Sequence, residues 1–208
     1  MLKAIIFDFD GVIANSIETK TIGFERLYEQ YGKEIKEKVR EHHLKNGGVS
    51  RFEKFKHYHQ NLLKIKLDGD GIKKLANQYS KIVVDEVVDS TYVSGVIEYI
   101  KKMKPRARLF ISTGTPTEEI KFIVKKKNID RFFTGVYGSP GKKTEHIKKI
   151  LIKYELKPSE VIFYGDSLSD LEAARSHDLN FILVKNQYNI FLQESYNGEK
   201  IDHFSGLL

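Results

Sequence analysis

The chain has 208 residues, 40% of them hydrophobic and 12% aromatic, which is enough for one well-filled core and a smaller accessory unit. It contains no cysteine, which excludes disulfides, thiolate nucleophiles and cysteine-based zinc sites and favours a cytoplasmic protein. The net charge is +7, but the basic residues alternate with acids along helical patterns, so we expect no nucleic-acid surface and only steering of small anions.

The chain begins with a strand-like run, LKAIIF at residues 2–7, which is nearly continuously apolar, as in a strand buried on both faces of a parallel sheet. No signal peptide precedes this run, and no apolar stretch reaches the roughly 18 residues of a membrane span, so we expect no membrane partner. Four more runs are predicted strands: ARLFIST (107–113), FFTGVYG (132–138), EVIFYG (160–165) and LNFILV (179–184).

Residues 15–90 follow the first strand and interrupt this pattern. They contain amphipathic helical patterns separated by glycines, with no strand pattern between them. We therefore predict a core domain at 1–14 and 91–208, with an α-helical domain inserted at 15–90. The histidines of this insertion lack metal-ligand spacing and are expected to pack within it or lie at its surface.

Helical periodicity returns between the later strands, in VSGVIEYIKKM (93–103), PTEEIKFIVKKK (116–127), KTEHIKKILIKY (143–154) and SDLEAARS (169–176). Strands that alternate with helices at this spacing predict an α/β fold with a doubly wound parallel sheet. The tail at 186–208 is predicted to leave the last strand and form a loosely packed helix.

Polar residues cluster where the predicted strands end, which is where such sheets bind ligands. They are Asp8 and Asp10, Ser112 and Thr113, Asp166 and Asp170, and one of Lys142 and Lys143. Carboxylates without histidine or cysteine partners suit Mg²⁺, whereas a lysine, a hydroxyl and helix N-terminal N–H groups suit phosphate. One carboxylate can act as nucleophile and a second as general acid and base, so the set predicts phosphoryl transfer.

Four motifs resemble those of the haloacid dehalogenase superfamily phosphatases: DFDGVIANS, FIST, a lysine near 143, and GDSLSD. The resemblance covers residues 3–16 and about 91–185 and implies a Rossmann-like core that uses Mg²⁺. It also implies that Asp8 is the nucleophile and a metal ligand, and that Asp10 is the general acid and base and binds the metal through its backbone carbonyl. Asp166 is implied as a further metal ligand, and Asp170 as a residue of the metal shell or one that orients the lysine. The implied phosphate ligands are Thr113, Gly114 and Lys143.

Two of these assignments have a competitor. The family's hydroxyl usually precedes a small residue, which favours Thr113, before Gly114, over Ser112. Lys143 is favoured over Lys142 because it lies on the side of its helix that continues the buried face.

The helical insertion resembles the family's small α-helical cap. Within it, NGGVSRFEKF resembles the substrate loop of β-phosphoglucomutase-like members, which implies that Arg51 contacts the part of the substrate that is not transferred. The alternative is a helix N-cap at Ser50 followed by an exposed arginine. Lys20 stands where the mutases tend to carry histidine, and this departure weakens the mutase reading.

The sequence therefore predicts a Mg²⁺-dependent phosphatase that hydrolyses a small phosphomonoester, such as a sugar phosphate or phosphoglycolate, through an aspartyl phosphate. The alternatives are a phosphomutase of the β-phosphoglucomutase type and a non-catalytic partner module on the same fold. The sequence leaves the substrate's identity and the oligomeric state open.

Overall fold

Six parallel strands form the sheet of the computed structural model, which describes all 208 residues. The strands are β1 Ala4–Phe7, β2 Arg108–Pro116, β3 Gly135–Ser139, β4 Val161–Gly165, β5 Asn180–Val184 and β6 Lys200–Ile201. Their order across the sheet is β3-β2-β1-β4-β5-β6, and every neighbouring pair is parallel. The predicted doubly wound parallel sheet is confirmed, and β1 lies between β2 and β4.

The residues of β1 are apolar throughout because both faces of the strand are covered. Ile5 and Phe7 pack into the core on one side of the sheet, and Ala4 and Ile6 pack into the core on the other side. All four are fully buried. The polar residues that follow β1 therefore emerge from the most protected strand of the protein.

Nine α-helices accompany the sheet: α1 Ile17–Tyr28, α2 Lys33–Lys45, α3 Arg51–His57, α4 Gly69–Asp89, α5 Val96–Met103, α6 Thr117–Lys126, α7 Lys143–Lys153, α8 Leu168–Arg175 and α9 Ile190–Ser195. A π-helical segment, Tyr58–Leu63, continues α3. None of the helices combines the length and apolar character that crossing a membrane requires.

Residues 17–89 contain helices α1 to α4 and no strand of the sheet, and we refer to this segment as the cap. Phe24, Phe55, Tyr58 and Tyr79 pack their rings together at its centre. The chain enters and leaves the cap through two adjacent segments, where Asn15 donates its backbone N–H to the carbonyl of Thr91 over 2.9 Å. The cap therefore joins the sheet through a double connection beside the end of β1.

The C-terminal tail is more ordered than the sequence suggests. It forms α9 and the two-residue strand β6, which pairs with β5 through Leu183 and Lys185. Phe204, which follows β6, is fully buried. A strand of two residues is too short to show an apolar run, so hydrophobic periodicity could not predict β6.

Candidate active site

Asp8 follows the central strand β1 and is 2% exposed. Its Oδ1 accepts the backbone N–H of Phe9 over 2.7 Å, and its Oδ2 accepts from the Lys143 ammonium over 2.9 Å. Burial and the neighbouring charge of Asp170 raise the pKa of Asp8 to about 7, although Lys143 acts in the opposite direction. The carboxylate is therefore held rigidly where its negative charge is poorly compensated.

Lys143 is the first residue of α7, and its ammonium lies between two carboxylates. It donates to Asp170 Oδ1 over 2.5 Å as well as to Asp8. Burial disfavours its charged form, but Asp170 and Asp8 outweigh burial and raise the pKa of Lys143, so the side chain stays cationic. Lys142 is exposed. Of the two lysines considered from the sequence, only Lys143 reaches the acids.

Asp166 and Asp170 follow β4 and complete the acidic cluster, which we define as Asp8, Asp166 and Asp170. One carboxylate oxygen from each lies within 4.8 Å of the others. Asp170 also accepts the backbone N–H and hydroxyl of Ser167, over 3.1 and 2.5 Å, and so caps α8. Burial, together with the charges of Asp8 and Asp170, raises the pKa of Asp166 well above its usual range.

The acidic cluster fits a divalent cation. Its three carboxylates are buried, and the single cation among them, Lys143, pairs with Asp8 and Asp170 but not with Asp166. Burial and the charges of the neighbouring carboxylates raise the pKa of Asp8 and of Asp166. Hard carboxylate oxygens are the ligands that Mg²⁺ prefers. Gly11, at φ +77°, lies against Asp166, and a Cβ at this position would overlap that carboxylate. The absence of a side chain at Gly11 therefore lets the backbone after Asp10 pass close to Asp166; the metal-ligand role of the Asp10 carbonyl stays a prediction.

Asp10 points away from the acidic cluster and toward the cap. Its Oδ1 accepts from the Ser16 hydroxyl over 2.6 Å, and its Oδ2 accepts from the Lys20 ammonium over 2.5 Å. Lys20 also donates to Thr115 Oγ1 at the end of β2, over 2.5 Å. Burial alone would raise the pKa of Asp10, but Lys20 and Ser16 hold it below the usual value. Its role as acid and base stays a prediction.

The two hydroxyls at the end of β2 point in different directions. Ser112 is hydrogen-bonded to His146 Nδ1 over 3.0 Å, on the α7 side of the sheet. Thr113 Oγ1 accepts the backbone N–H of Thr115 over 3.3 Å. Because Ser112 is engaged elsewhere, the geometry favours Thr113 as the hydroxyl for phosphate, a role that stays a prediction.

The cap loop between α2 and α3 lies directly on the strand ends. The carbonyl of Gly47 accepts from Ser169 Oγ over 3.1 Å. At Gly48, with φ +72°, a Cβ would approach the Lys143 ammonium to 2.5 Å, and one at Gly114 would approach the Gly48 carbonyl to the same distance. Glycines on both sides of the contact therefore let the cap close over the predicted phosphate ligands Gly114 and Lys143.

Arg51 begins α3, and Ser50 is the N-cap of that helix, with its hydroxyl accepting the backbone N–H of Phe52 over 3.3 Å. The arginine is buried rather than exposed. Its guanidinium pairs with both carboxylate oxygens of Glu119 on α6. The predicted contact of Arg51 with substrate stays a prediction, and in this structure the side chain joins the cap to the core.

A cavity of about 640 Å³ separates the acidic cluster from the cap. Sequence reasoning missed several of its lining residues: His43 and Lys54 in the cap, and Asn186, Tyr188 and Phe191 in the C-terminal tail. Asn186 donates to Asp166 Oδ2 over 2.9 Å. It follows β5 directly, so the rule that strand ends carry site residues could have found it. No sequence signal distinguishes Lys54 from an ordinary helix lysine.

The chain is similar to known proteins over most of its length. A family model described as haloacid dehalogenase-like hydrolase matches residues 5–184. A phosphorylated carbohydrates phosphatase from Thermotoga maritima is 27% identical over 181 residues, which cover 84% of this chain and 81% of that protein.

Two solved structures extend the comparison to the fold. A protein from Haemophilus somnus, described as a predicted phosphoglycolate phosphatase, superimposes with a TM-score of 0.76 at 21% identity and covers 99% of this chain and 96% of its own. A β-phosphoglucomutase from Clostridium difficile gives 0.78 at 18% identity, covering 100% and 94%. At these identities the likeness concerns the fold alone.

Proposed function

We propose that this chain, which belongs to the haloacid dehalogenase-like hydrolase family, is a Mg²⁺-dependent phosphatase of small phosphomonoesters. The observation that carries this proposal is the buried Asp8 carboxylate, fixed at the end of the central strand with Lys143 and Asp166 beside it. Such a carboxylate can act as a nucleophile, and the lysine can neutralise the charge of the group being transferred.

In the first step, a carboxylate oxygen of Asp8 bonds to phosphorus while the bond from phosphorus to the leaving oxygen breaks. Asp10 passes one proton to the leaving oxygen, and it receives that proton from the Lys20 ammonium across their hydrogen bond. In the second step, water attacks the phosphorus of the aspartyl phosphate, and its proton returns through Asp10 to Lys20. The bond to Asp8 then breaks and inorganic phosphate leaves, which restores the starting carboxylates.

Asp8, Asp166 and the backbone carbonyl of Asp10 are the groups that would hold the Mg²⁺. When bound, the ion supplies charge compensation for the carboxylates and for the transferring phosphoryl group. Asp170 is already engaged by Lys143 and Ser167, which supports a role in orienting the lysine. Thr113 and Gly114 would add phosphate ligands at the end of β2.

A small phosphorylated metabolite is the substrate class we propose, such as a sugar phosphate or phosphoglycolate. The similarity to a phosphatase of phosphorylated carbohydrates supports this, as does a cavity of about 640 Å³, a size typical of small-molecule sites. Glu119 occupies Arg51, the arginine of the loop that resembles the mutases, and this pairing supports hydrolysis over mutase chemistry.

The test is release of inorganic phosphate from a panel of phosphorylated metabolites, with Mg²⁺ and with EDTA. We expect stoichiometric phosphate with Mg²⁺ and loss of turnover with chelator, restored by adding the ion back. A phosphorylated isomer formed without free phosphate would identify a mutase instead. No turnover of any compound, with intact binding, would favour a non-catalytic partner module.

A further inference from the structure

Lys54, on α3 in the cap, is a buried lysine without an acidic partner. The residue is 2% exposed, and its ammonium is hydrogen-bonded only to His43, at 3.0 Å from Nδ1 and 3.4 Å from the backbone carbonyl. It also lies 5.6 Å from the centre of the Phe24 ring, which carries no formal charge. Burying an unpaired charge costs several kcal/mol, so such a group is unusual unless an anion reaches it.

The side chain lines the same cavity as Asp8 and Asp10. Burial lowers the pKa of Lys54 to about 7; the charges of Lys20 and Lys143 act in the same direction, and the charge of Asp10 acts against them. A bound anion would favour the ammonium form further. Lys54 therefore lines, on the cap side, the cavity that the leaving-group end of a substrate would occupy.

The other cap cations that line this cavity are already neutralised. Lys20 pairs with Asp10, Arg51 with Glu119, and the exposed Lys45 with Glu41. Arg51 lies on the same helix as Lys54 and one turn away from it, yet Glu119 occupies its guanidinium. Lys54 is therefore the cap cation in this cavity whose charge has no carboxylate partner.

His43 fixes the direction of the lysine. Burial first, and then the charge of Lys54, lower the pKa of His43 well below its usual value, so the ring is neutral and its Nδ1 accepts from the ammonium. The ring also packs on Phe24, with 4.8 Å between centroids. An ammonium has three donors, and His43 accepts at most two, so at least one N–H remains for a ligand.

We propose that Lys54, held by His43, binds a second anionic group, a carboxylate or a phosphate, on the leaving-group end of the substrate. This inference rests on the proposed function and narrows it: the preferred substrates are phosphomonoesters that carry another negative charge, rather than phosphates of uncharged sugars or alcohols.

The test compares two substrate pairs, each differing by one anionic group: 3-phosphoglycerate with glycerol 3-phosphate, and glucose 1,6-bisphosphate with glucose 6-phosphate. We expect the wild type to favour the anionic member of at least one pair by about 30-fold or more in kcat/KM, and Lys54→Met to reduce that ratio to near one, mainly through KM. The pair that responds identifies carboxylate or phosphate. Lys56→Met is the matched control, because Lys56 lies exposed on the same helix, and it should keep the wild-type ratio.

Calorimetric binding of the same compounds to an Asp8→Asn protein, with and without Lys54→Met, separates this inference from the proposed function. Absence of phosphate release by the wild type contradicts only the function, whereas the binding ratios still test the subsite. Equal losses for both members of a pair, or no wild-type preference in either assay, overturn the subsite. Thermal melting and a second variant, Lys54→Gln, exclude a folding defect as the cause.

Discussion

The two sides of the cavity have opposite charge and are built differently. In the acidic cluster, Asp8 and Asp166 follow the adjacent parallel strands β1 and β4, Asp170 lies in the first turn of α8, and Lys143 links Asp8 to Asp170. The cap side carries Lys20, Arg51 and Lys54 on separate turns of α1 and α3.

Under the proposed function, this difference separates the chemical step from substrate recognition. Strand ends are fixed by the backbone ladder of the sheet, so the acidic cluster holds the close geometry that bond making requires. Helix side chains of the cap reach the cavity from a unit joined to the core by two segments, so their positions depend on packing and on ion pairs such as Arg51 with Glu119.

The largest effect is expected from breaking the acidic side at Asp8. Asp8→Asn replaces the nucleophilic oxygen with an amide, and phosphate release should fall by at least about 10⁴-fold, as when other catalytic nucleophiles are removed. Asp85→Asn, on the exposed face of α4, is the control and should retain activity. Near-normal turnover by the Asp8 variant would contradict the aspartyl phosphate.

The next largest effect is expected at Lys143. Lys143→Met leaves three carboxylates within 4.8 Å of one another without a lysine between them, so phosphate release should fall by at least about 100-fold. The free energy of unfolding in urea, measured without Mg²⁺, should fall by about 3 kcal/mol. Lys142→Met tests the neighbouring exposed lysine and should change neither quantity. Equal losses in the two variants would mean that Lys143 has no special position.

On the cap side, a double-mutant cycle tests the ion pair between α3 and α6. Arg51→Met and Glu119→Gln should each lower the free energy of unfolding by about 3 kcal/mol, because each leaves a buried partner uncompensated. The double variant should lose clearly less than the sum, as measured by urea unfolding. Additive losses in the free energy of unfolding would show that the two side chains do not stabilise each other. That result would favour the prediction that Arg51 contacts substrate.

The smallest effect is expected at His146, which is hydrogen-bonded to the Ser112 hydroxyl in β2 and to the Gly138 carbonyl in β3. Burial lowers its pKa from 6.5 to about 4. The unfolded chain therefore binds a proton that the folded protein does not between these pH values, and stability should fall as pH decreases through this window.

The comparison of wild type with His146→Gln isolates that contribution. Between pH 7 and pH 4.5, the wild type should lose more stability in urea than the variant, by at most about 3 kcal/mol. His203→Gln, at an exposed position of the C-terminal tail, should follow the wild type. Parallel pH profiles for all three proteins would contradict the assignment.

Much of the acidic side could be predicted from the sequence. Asp8 and Asp166 each come directly after an apolar run, and neighbouring parallel strands end at one edge, so their convergence follows from the order of elements. The same rule applied to the end of β5 leads to Asn186, which lies in the tail that was predicted only as a loosely packed helix. The sequence favoured Thr113 over Ser112 by resemblance, and the structure adds that Ser112 is hydrogen-bonded to His146; the phosphate role of Thr113 stays a prediction.

The cap side could not be predicted in the same way. Arg51 and Lys54 belong to one short basic helix, and both are compatible with an exposed position by periodicity. Their different surroundings arise from α6, which brings Glu119 to Arg51, and from α2, which brings His43 to Lys54. These contacts join residues that are distant in sequence.

The sequence by itself determined the parallel sheet, the acids at its strand ends and the class of chemistry, because hydrophobic periodicity and strand termini are local properties of the chain. Only the tertiary structure decided which charges are compensated. The energy of a buried charge depends on every group around it, and helices far apart in the sequence supply those groups in the cap.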